Sequence, residues 1–287
     1  MKAMVCREIS EDVGVLALED LPTPEPGPGQ VRVRLKTASV NFPDLLMIQG
    51  KYQFKPPLPF SPGMEGAGVV DAVGEGVTRA KPGDEVVVGA RYGTFAESIV
   101  VPAEAVRTKP AQMSFEEAAI YPVAYLTAYV ALTRRGGLQA GDTLLVHGAS
   151  GGVGLAAVDL GKVLGATVIA TTGKPEKAEA LKAAGADHVL PAPGFRDAVK
   201  ELTGGKGADV IYDPVGGDVF DESVRCIAFD GRLLIIGFTS GRIPTVSVNL
   251  PLIKGFSVVG VRAGEYGRNF PEKGRENIAA VDAHGLA

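Results

Sequence analysis

The chain has 287 residues, with 29 Lys and Arg against 33 Asp and Glu and a net charge of −4; at roughly 100–200 residues per domain that is room for two domains or one large one. With 46% hydrophobic and 22% charged residues it has the composition of a soluble globular protein, and its mild acidity excludes the basic footprint of a nucleic-acid or anionic-lipid binder. Two cysteines, Cys6 and Cys226, with no CxxC pair, and three histidines without ligand spacing exclude a disulfide scaffold and argue against a metal centre.

The opening MKAMVCREIS lacks the apolar core of a signal peptide. The run VRVRLKTASV (31–40) alternates apolar and charged residues, the pattern of a half-buried strand, and GVVDAV (68–73), DEVVVGA (84–90) and FAESIVV (95–101) repeat it between Gly-rich turns. These short strands predict a compact β-rich domain over residues 1–118. Ser114 and Glu117 form a capping box that opens a helix, and after Pro122 a second helical stretch, AYLTAYVALTRR, runs to Gly136. The greasy segment 118–132 is shorter than the ~18 residues of a membrane span and is interrupted by Pro122 and Thr127. The expectation is a cytoplasmic protein with no membrane or nucleic-acid partner.

From Asp142 the pattern becomes strand, helix, strand, helix. DTLLVHG, TVIATT, HVL, DVIYDP, RLLIIGF and FSVVGV are apolar runs bounded by glycine, which predicts a parallel sheet covered on both faces. The chain thus reads as α/β, a β-rich domain plus a doubly wound parallel-sheet domain over 119–261.

The most informative segment is LLVHGASGGVG (144–154), at the junction of the first parallel strand and its helix. Read as A-x-G-x-x-G on Ala149, Gly151 and Gly154, it is one step from the dinucleotide fingerprint. Gly151 lets the backbone approach a pyrophosphate, Gly154 lets helix and strand pack closely, and the helix start attracts the anion. The second strand ends ATTGKPEK (170–177), without the acid that accepts from an NAD ribose. Thr172, Gly173 and Lys174 instead stand at the start of a helix opened by Pro175, a place for a 2′-phosphate, so the expected cofactor is NADPH. Two further loops, DPVGG (213–217) with Val215 and Gly216, and GFTSG (237–241) with Gly237, Phe238 and Thr239, follow later strands at the carboxyl edge where such sheets bind ligands.

NFPDLLMIQGKYQFKPPLPFSPGMEGAGVV (41–70), YLTAY (125–129) and VHGASGGVG (146–154) together resemble the zinc-free quinone oxidoreductases of the medium-chain dehydrogenase/reductase superfamily. The resemblance implies a GroES-like catalytic domain, a Rossmann domain, an active site in the cleft between them, and a homodimer. It further implies NADPH-dependent reduction of quinones or other α,β-unsaturated carbonyls. Where zinc-dependent relatives carry a cysteine ligand this chain has Asn41, three residues before Asp44. Where they read GHEGAG it has Gly63-Met64-Glu65-Gly66, so no metal is expected.

By matching position, Asn41 and Tyr52 resemble the residues beside nicotinamide and substrate, with their hydroxyl and amide as donors to the carbonyl oxygen. Thr127 resembles a threonine near the cofactor. Gly151, Gly152 and Val153 would cradle the pyrophosphate, Thr172 and Lys174 the adenosine phosphate, and Phe238 and Thr239 the carboxamide. Asp44 also reads as a capping or salt-bridge residue, and His147 as closing its strand. The family pattern continues past VDAHGLA (281–287), so residues 262–287 are expected to return to the catalytic domain without completing it. Two alternatives stay open: an enoyl-thioester reductase on the same scaffold, and a nucleotide-binding protein without turnover.

Overall fold

Apolar residues at every second position build the strands of the first of two units, Met1–Pro122, in the computed structural model, which describes residues 1–285. A ribbon of β1 (Lys2–Cys6) and β2 (Leu16–Asp20) precedes β3 (Gln30–Ala38), α1 (Phe42–Ile48), β4 (Glu65–Val73), β5 (Glu85–Gly89), β6 (Ser98–Pro102) and β7 (Val106–Thr108). The last five strands form an antiparallel sheet in the order β6-β3-β4-β5-β7. In β3 the even-spaced Val31 and Val33 are fully buried against Val70, Val86, Val88 and Val101, while Arg32 turns outward to Asp71 and Glu25. β3 and β4 approach closely because β4 carries glycine: a Cβ at Gly68 would lie 2.2 Å from the Arg34 carbonyl oxygen.

The second unit is Val123–Gly285, and the division falls inside α2 (Phe115–Tyr129), four residues after the expected boundary at 118. Ser114 and Glu117 cap this helix reciprocally, Ser114 N–H to Glu117 Oε2 at 2.8 Å and Glu117 N–H to Ser114 Oγ at 3.1 Å. Pro122 does not divide it into two helices as expected. The ring removes one backbone donor, and buried Ala118, Ala119, Ala124 and Ala128 pack the helix along its length. Wider i→i−5 turns follow over Val130–Arg135, closed by Gly136 N–H to the Ala131 carbonyl at 2.7 Å.

Then come β8 (Thr143–Val146), α3 (Gly152–Val163), β9 (Thr167–Thr172), α4 (Ala178–Ala183), β10 (His188–Pro191), α5 (Arg196–Leu202) and β11 (Ala208–Asp213). After them are α6 (Gly217–Ser223), β12 (Ile227–Ile235), α7 (Asn249–Lys254), β13 (Ser257–Gly260), α8 (Ala263–Asn269) and α9 (Pro271–Gly285). All six strands are parallel, in the order β10-β9-β8-β11-β12-β13. Both faces are buried, which explains the unbroken apolar runs. Leu144, Val146, Val210 and Tyr212 face one helical layer, Leu145, Ile211 and Leu233 the other. Chain order reverses between β8 and β11, the point where open α/β sheets hold ligands.

The segment from Arg262 to Gly285 belongs to the second unit, which corrects the expectation that 262–287 returns to the first. Arg134 holds α9 through Asn277 Oδ1 at 2.8 Å and Glu276 at 2.7 Å, Val281 is fully buried, and His284 Nε2 lies 2.7 Å from Asp159 of α3. Leu286 and Ala287, the end of that segment, lie outside the described residues. No described helix is long and apolar enough to cross a membrane.

Candidate active site

In the second unit three loops meet at the carboxyl edge of the sheet. The chain leaves β8 through Gly148, whose φ of +54° suits glycine, and enters α3 at an extended Gly151. A Cβ on Gly154 would lie 2.4 Å from the Gly148 carbonyl oxygen and 2.8 Å from the Cα of buried Ala149, so this glycine is required for the turn to pack. The other two face space: a Cβ on Gly152 meets nothing within 4 Å, and one on Gly151 only the Gly148 oxygen at 3.4 Å. Gly151 stands at the N-cap and no side chain caps the helix, so the first-turn N–H groups of Gly152, Val153 and Gly154 lack a capping acceptor. An uncapped helix start beside open space fits a pyrophosphate.

The DPVGG loop is shaped by Asp213. Its Oδ1 accepts from Val215 N–H at 2.8 Å and Gly216 N–H at 2.9 Å; its buried Oδ2 has no partner, and burial raises its pKa. Gly216, at φ +67°, lies under Phe238, whose Cδ1 would be 2.9 Å from a Cβ there. Gly237 N–H reaches the Asp213 carbonyl at 3.4 Å and Thr239 N–H the Pro214 carbonyl at 3.1 Å, joining this loop to GFTSG. Gly148 closes the group, since its Cβ would touch Val215 at 3.2 Å. Thr127 is half-buried on α2, whose Ala124 and Ala128 share a core cluster with Ala149 and Ala156.

At the end of β9, buried Thr172 accepts from Lys174 N–H at 3.1 Å, and its Oγ1 lies 3.4 Å from the hydroxyl of Ser150, a residue of the glycine loop that sequence reasoning passed over. Gly173 and Lys174 are exposed, and no ion pair among the described residues uses the Lys174 ammonium. The helix expected here is a three-residue 3-10 turn, Pro175–Lys177, leading into six-residue α4. Its aligned dipoles are too few to contribute much, so any anion selectivity rests on the lysine charge.

His147 is fully buried, Nδ1 2.9 Å from Thr171 Oγ1 and Nε2 2.8 Å from Ser223 Oγ, with Phe195 against its ring. Ser223 donates to the Val219 carbonyl at 2.7 Å, which leaves its lone pairs to accept from Nε2–H. Burial lowers the His147 pKa to about 3. It is a neutral core residue that ties β8 to β9 and α6.

In the first unit Asn41 precedes α1 and belongs to a buried polar network. Its Nδ2 donates to Glu65 Oε1 at 2.8 Å and to Ser39 Oγ at 2.9 Å; Ser39 itself donates to Glu65 at 2.5 Å. Both amide donors are engaged, so the expected donation from Asn41 to a substrate oxygen does not fit this arrangement. Asp44 caps α1, accepting Asn41 N–H at 2.8 Å and Gly63 N–H at 3.2 Å, and burial raises its pKa to about 6. Glu65 was missed as a functional partner because it stands 24 residues from Asn41 in sequence. Tyr52 is half-buried and packs on the cluster of Cys6, Met47, Ile48 and Phe60; no hydrogen bond among the described residues uses its hydroxyl. Among the described residues no group of three His, Cys, Asp or Glu side chains is placed to hold a metal ion.

Residues 27–111 match the family described as the alcohol dehydrogenase GroES-like domain, and residues 152–280 that described as zinc-binding dehydrogenase. The quinone oxidoreductase-like protein 2 homolog of Nematostella vectensis is 41% identical over 282 residues, covering 96% of this chain and 76% of the relative. Among solved structures, Escherichia coli quinone oxidoreductase complexed with NADPH superposes with a TM-score of 0.90 at 30% identity, covering 100% of this chain and 87% of that one. A mycobacterial protein complexed with NADPH gives 0.88 at 35% identity, covering 99% and 89%. By sequence and by fold, this chain belongs to the quinone oxidoreductases of the medium-chain dehydrogenase/reductase superfamily.

Proposed function

We propose that the chain is an NADPH-dependent oxidoreductase that reduces a quinone or another α,β-unsaturated carbonyl without a metal ion, as a cytoplasmic homodimer. The observation that carries this reading is the uncapped start of α3, open above Gly151 and Gly152 at the point where strand order reverses. Bound there, NADPH supplies the hydride. The N–H groups of Gly152, Val153 and Gly154 hold the pyrophosphate, Lys174 and Thr172 the 2′-phosphate, and the joined loops at Val215–Gly216 and Phe238–Thr239 border the nicotinamide half. A quinone that takes one hydride from the coenzyme and one proton from solvent leaves as the hydroquinone. Charge developing on its oxygen is met by the Tyr52 hydroxyl, whose donor no described hydrogen bond engages. Asn41 and Met64 stand at the positions where zinc-dependent relatives place a cysteine and a histidine, and the Asn41 amide is instead bound to Glu65.

The test is oxidation of NADPH and NADH against 1,4-naphthoquinone, a simple enal and an enoyl-CoA, with and without a chelator. The expected result is quinone reduction insensitive to chelation, with an NADPH preference of about 10-fold that falls toward parity in Lys174→Ala. Turnover of enoyl-CoA alone would make the chain a thioester reductase. NADPH binding without oxidation across the panel would make it a nucleotide-binding protein.

A further inference from the structure

The loops around Asn41 and Tyr52 also assemble an aromatic wall beneath a cation. Phe54 and Tyr92 stack with centroids 6.0 Å apart at 27°, and Phe60 meets Tyr92 edge-on at 6.2 Å and 82°. The wall is fixed to the segment that carries Glu65: Ala90 N–H donates to the Met64 carbonyl at 2.8 Å, Gly93 N–H to Pro62 at 3.1 Å, and Thr94 Oγ1 to the Glu65 carbonyl at 3.0 Å. Phe60 is buried, whereas Tyr52, Phe54 and Tyr92 keep part of their rings accessible. The Arg91 guanidinium lies 4.8 Å over the Phe54 centroid.

Arg91 is exposed, and no ion pair or hydrogen bond among the described residues uses it. Lys51, which precedes Tyr52 in the chain, is by contrast paired to Glu11 at 2.6 Å. The contact with the Phe54 ring favours a guanidinium at this place and leaves its N–H donors and its charge without a partner among the described residues. A flat π-system can extend the Phe54–Tyr92 stack, and an anionic group on its rim can meet the guanidinium in a charge-assisted hydrogen bond. A small aliphatic enal would use neither feature.

We propose that Arg91, held on Phe54 beside Tyr92 and Tyr52, selects planar aromatic substrates that bear an anionic substituent such as a carboxylate or sulfonate. As a statement about turnover this rests on the oxidoreductase reading above; as a statement about binding it does not. The experiment therefore has two arms, both using 1,4-naphthoquinone and 1,4-naphthoquinone-2-sulfonate. Calorimetric titration of the intact protein is expected to show about 5- to 10-fold tighter binding of the sulfonate, a range that allows for solvent screening of an exposed arginine. Arg91→Ala brings the ratio close to one without changing the melting temperature, and Arg91→Lys, which keeps the charge without the planar fork, gives an intermediate ratio. Raised salt compresses the wild-type ratio.

In the kinetic arm, the ratio of kcat/KM for the two quinones is compared between wild type and Arg91→Ala, which cancels their difference in redox potential. Equal affinities in the wild type, a ratio unchanged in Arg91→Ala, or a change confined to NADPH affinity overturns the assignment. A sulfonate preference that depends on Arg91, in a protein that oxidises no NADPH with either quinone, upholds the assignment and overturns the hydride-transfer reading.

Discussion

Gly152 and Gly154 stand two residues apart in one turn, yet a methyl group has opposite consequences at each. At Gly154 it would be driven to 2.4 Å from a backbone oxygen that has nowhere to move, so Gly154→Ala is expected to destabilise the second unit by about 1–3 kcal/mol. At Gly152 it meets no protein atom, and alanine in the first turn of a helix is about 0.5–1 kcal/mol better than glycine. Gly152→Ala should therefore melt at the same temperature or slightly higher while binding NADPH about tenfold more weakly, because the methyl would occupy the space assigned in the proposed function to the pyrophosphate. Unchanged NADPH affinity in this variant, read by fluorescence titration, would move the pyrophosphate elsewhere. Tyr52 and Asn41 divide in a similar way. Tyr52→Phe removes an unengaged hydroxyl and is expected to lower kcat about 10- to 100-fold with the KM for NADPH unchanged; full turnover in Tyr52→Phe removes this group from the chemistry. Asn41→Ala instead takes a donor from buried Glu65, so its first effect is a lower melting temperature.

Among the secondary elements, β8 is followed by a buried titratable group and α1 carries one in its first turn, and acid acts on the two in opposite directions. His147 titrates near 6.5 when unfolded and at about 3 in the fold. Between those values only the unfolded chain binds the proton, so stability falls as pH drops, by roughly 3 kcal/mol at pH 4.5. Asp44 has an ordinary value of 3.8 and about 6 in the fold. Here the folded state keeps the proton, so stability is greatest in acid and is lost as pH rises through 6, a change of roughly 2 kcal/mol between pH 4.5 and 7. Denaturation at pH 7 and 4.5 should show a smaller acid loss in His147→Gln than in the wild type and a larger one in Asp44→Asn. Equal pH dependence in all three would mean that neither group keeps its folded-state titration.

The parallel strands were legible in the sequence because their residues are buried on both faces, leaving unbroken runs such as TVIATT and VIYD. The glycine turn and the Ser114–Glu117 cap were legible because their determinants are local. Long-range pairings were not: β1 is placed by bridges from Ala3 to Ala96 and from Cys6 to Phe60, the Asn41 amide by Glu65, and Arg91 by Phe54. Pro122 misled because tertiary packing outweighed one missing donor, and Pro175 because it opens only a 3-10 turn.

For the molecule as a whole, the six-stranded sheet ends on β13, a strand that pairs with β12 on one side and has no partner on the other among the described residues. Its sequence, SVVG, carries none of the charges or prolines that natural edge strands use to block further pairing. Next to it α7 exposes apolar side chains: Val248 at its N-cap is 84% exposed, Leu252 82% and Ile253 71%. Phe229, 80% exposed, lies against Gly255 at the end of the same helix, since a Cβ there would be 2.4 Å from its ring. An open hydrogen-bonding edge flanked by an apolar patch is self-complementary across a two-fold axis, which would let β13 pair antiparallel with its own copy and the patch cover itself. This edge supports the proposed homodimer and is the place to test for it. Light scattering coupled to gel filtration should report twice the 29.7 kDa of one chain. Leu252→Glu places a carboxylate in that contact, where two copies bring like charges together without water, and should weaken association about 10- to 100-fold. Because Leu252 touches little of its own chain, circular dichroism and NADPH affinity of the resulting monomer should match the wild type. A wild-type mass of one chain, or a dimer indifferent to both Leu252→Glu and Ile253→Glu, would leave this edge without a role in assembly.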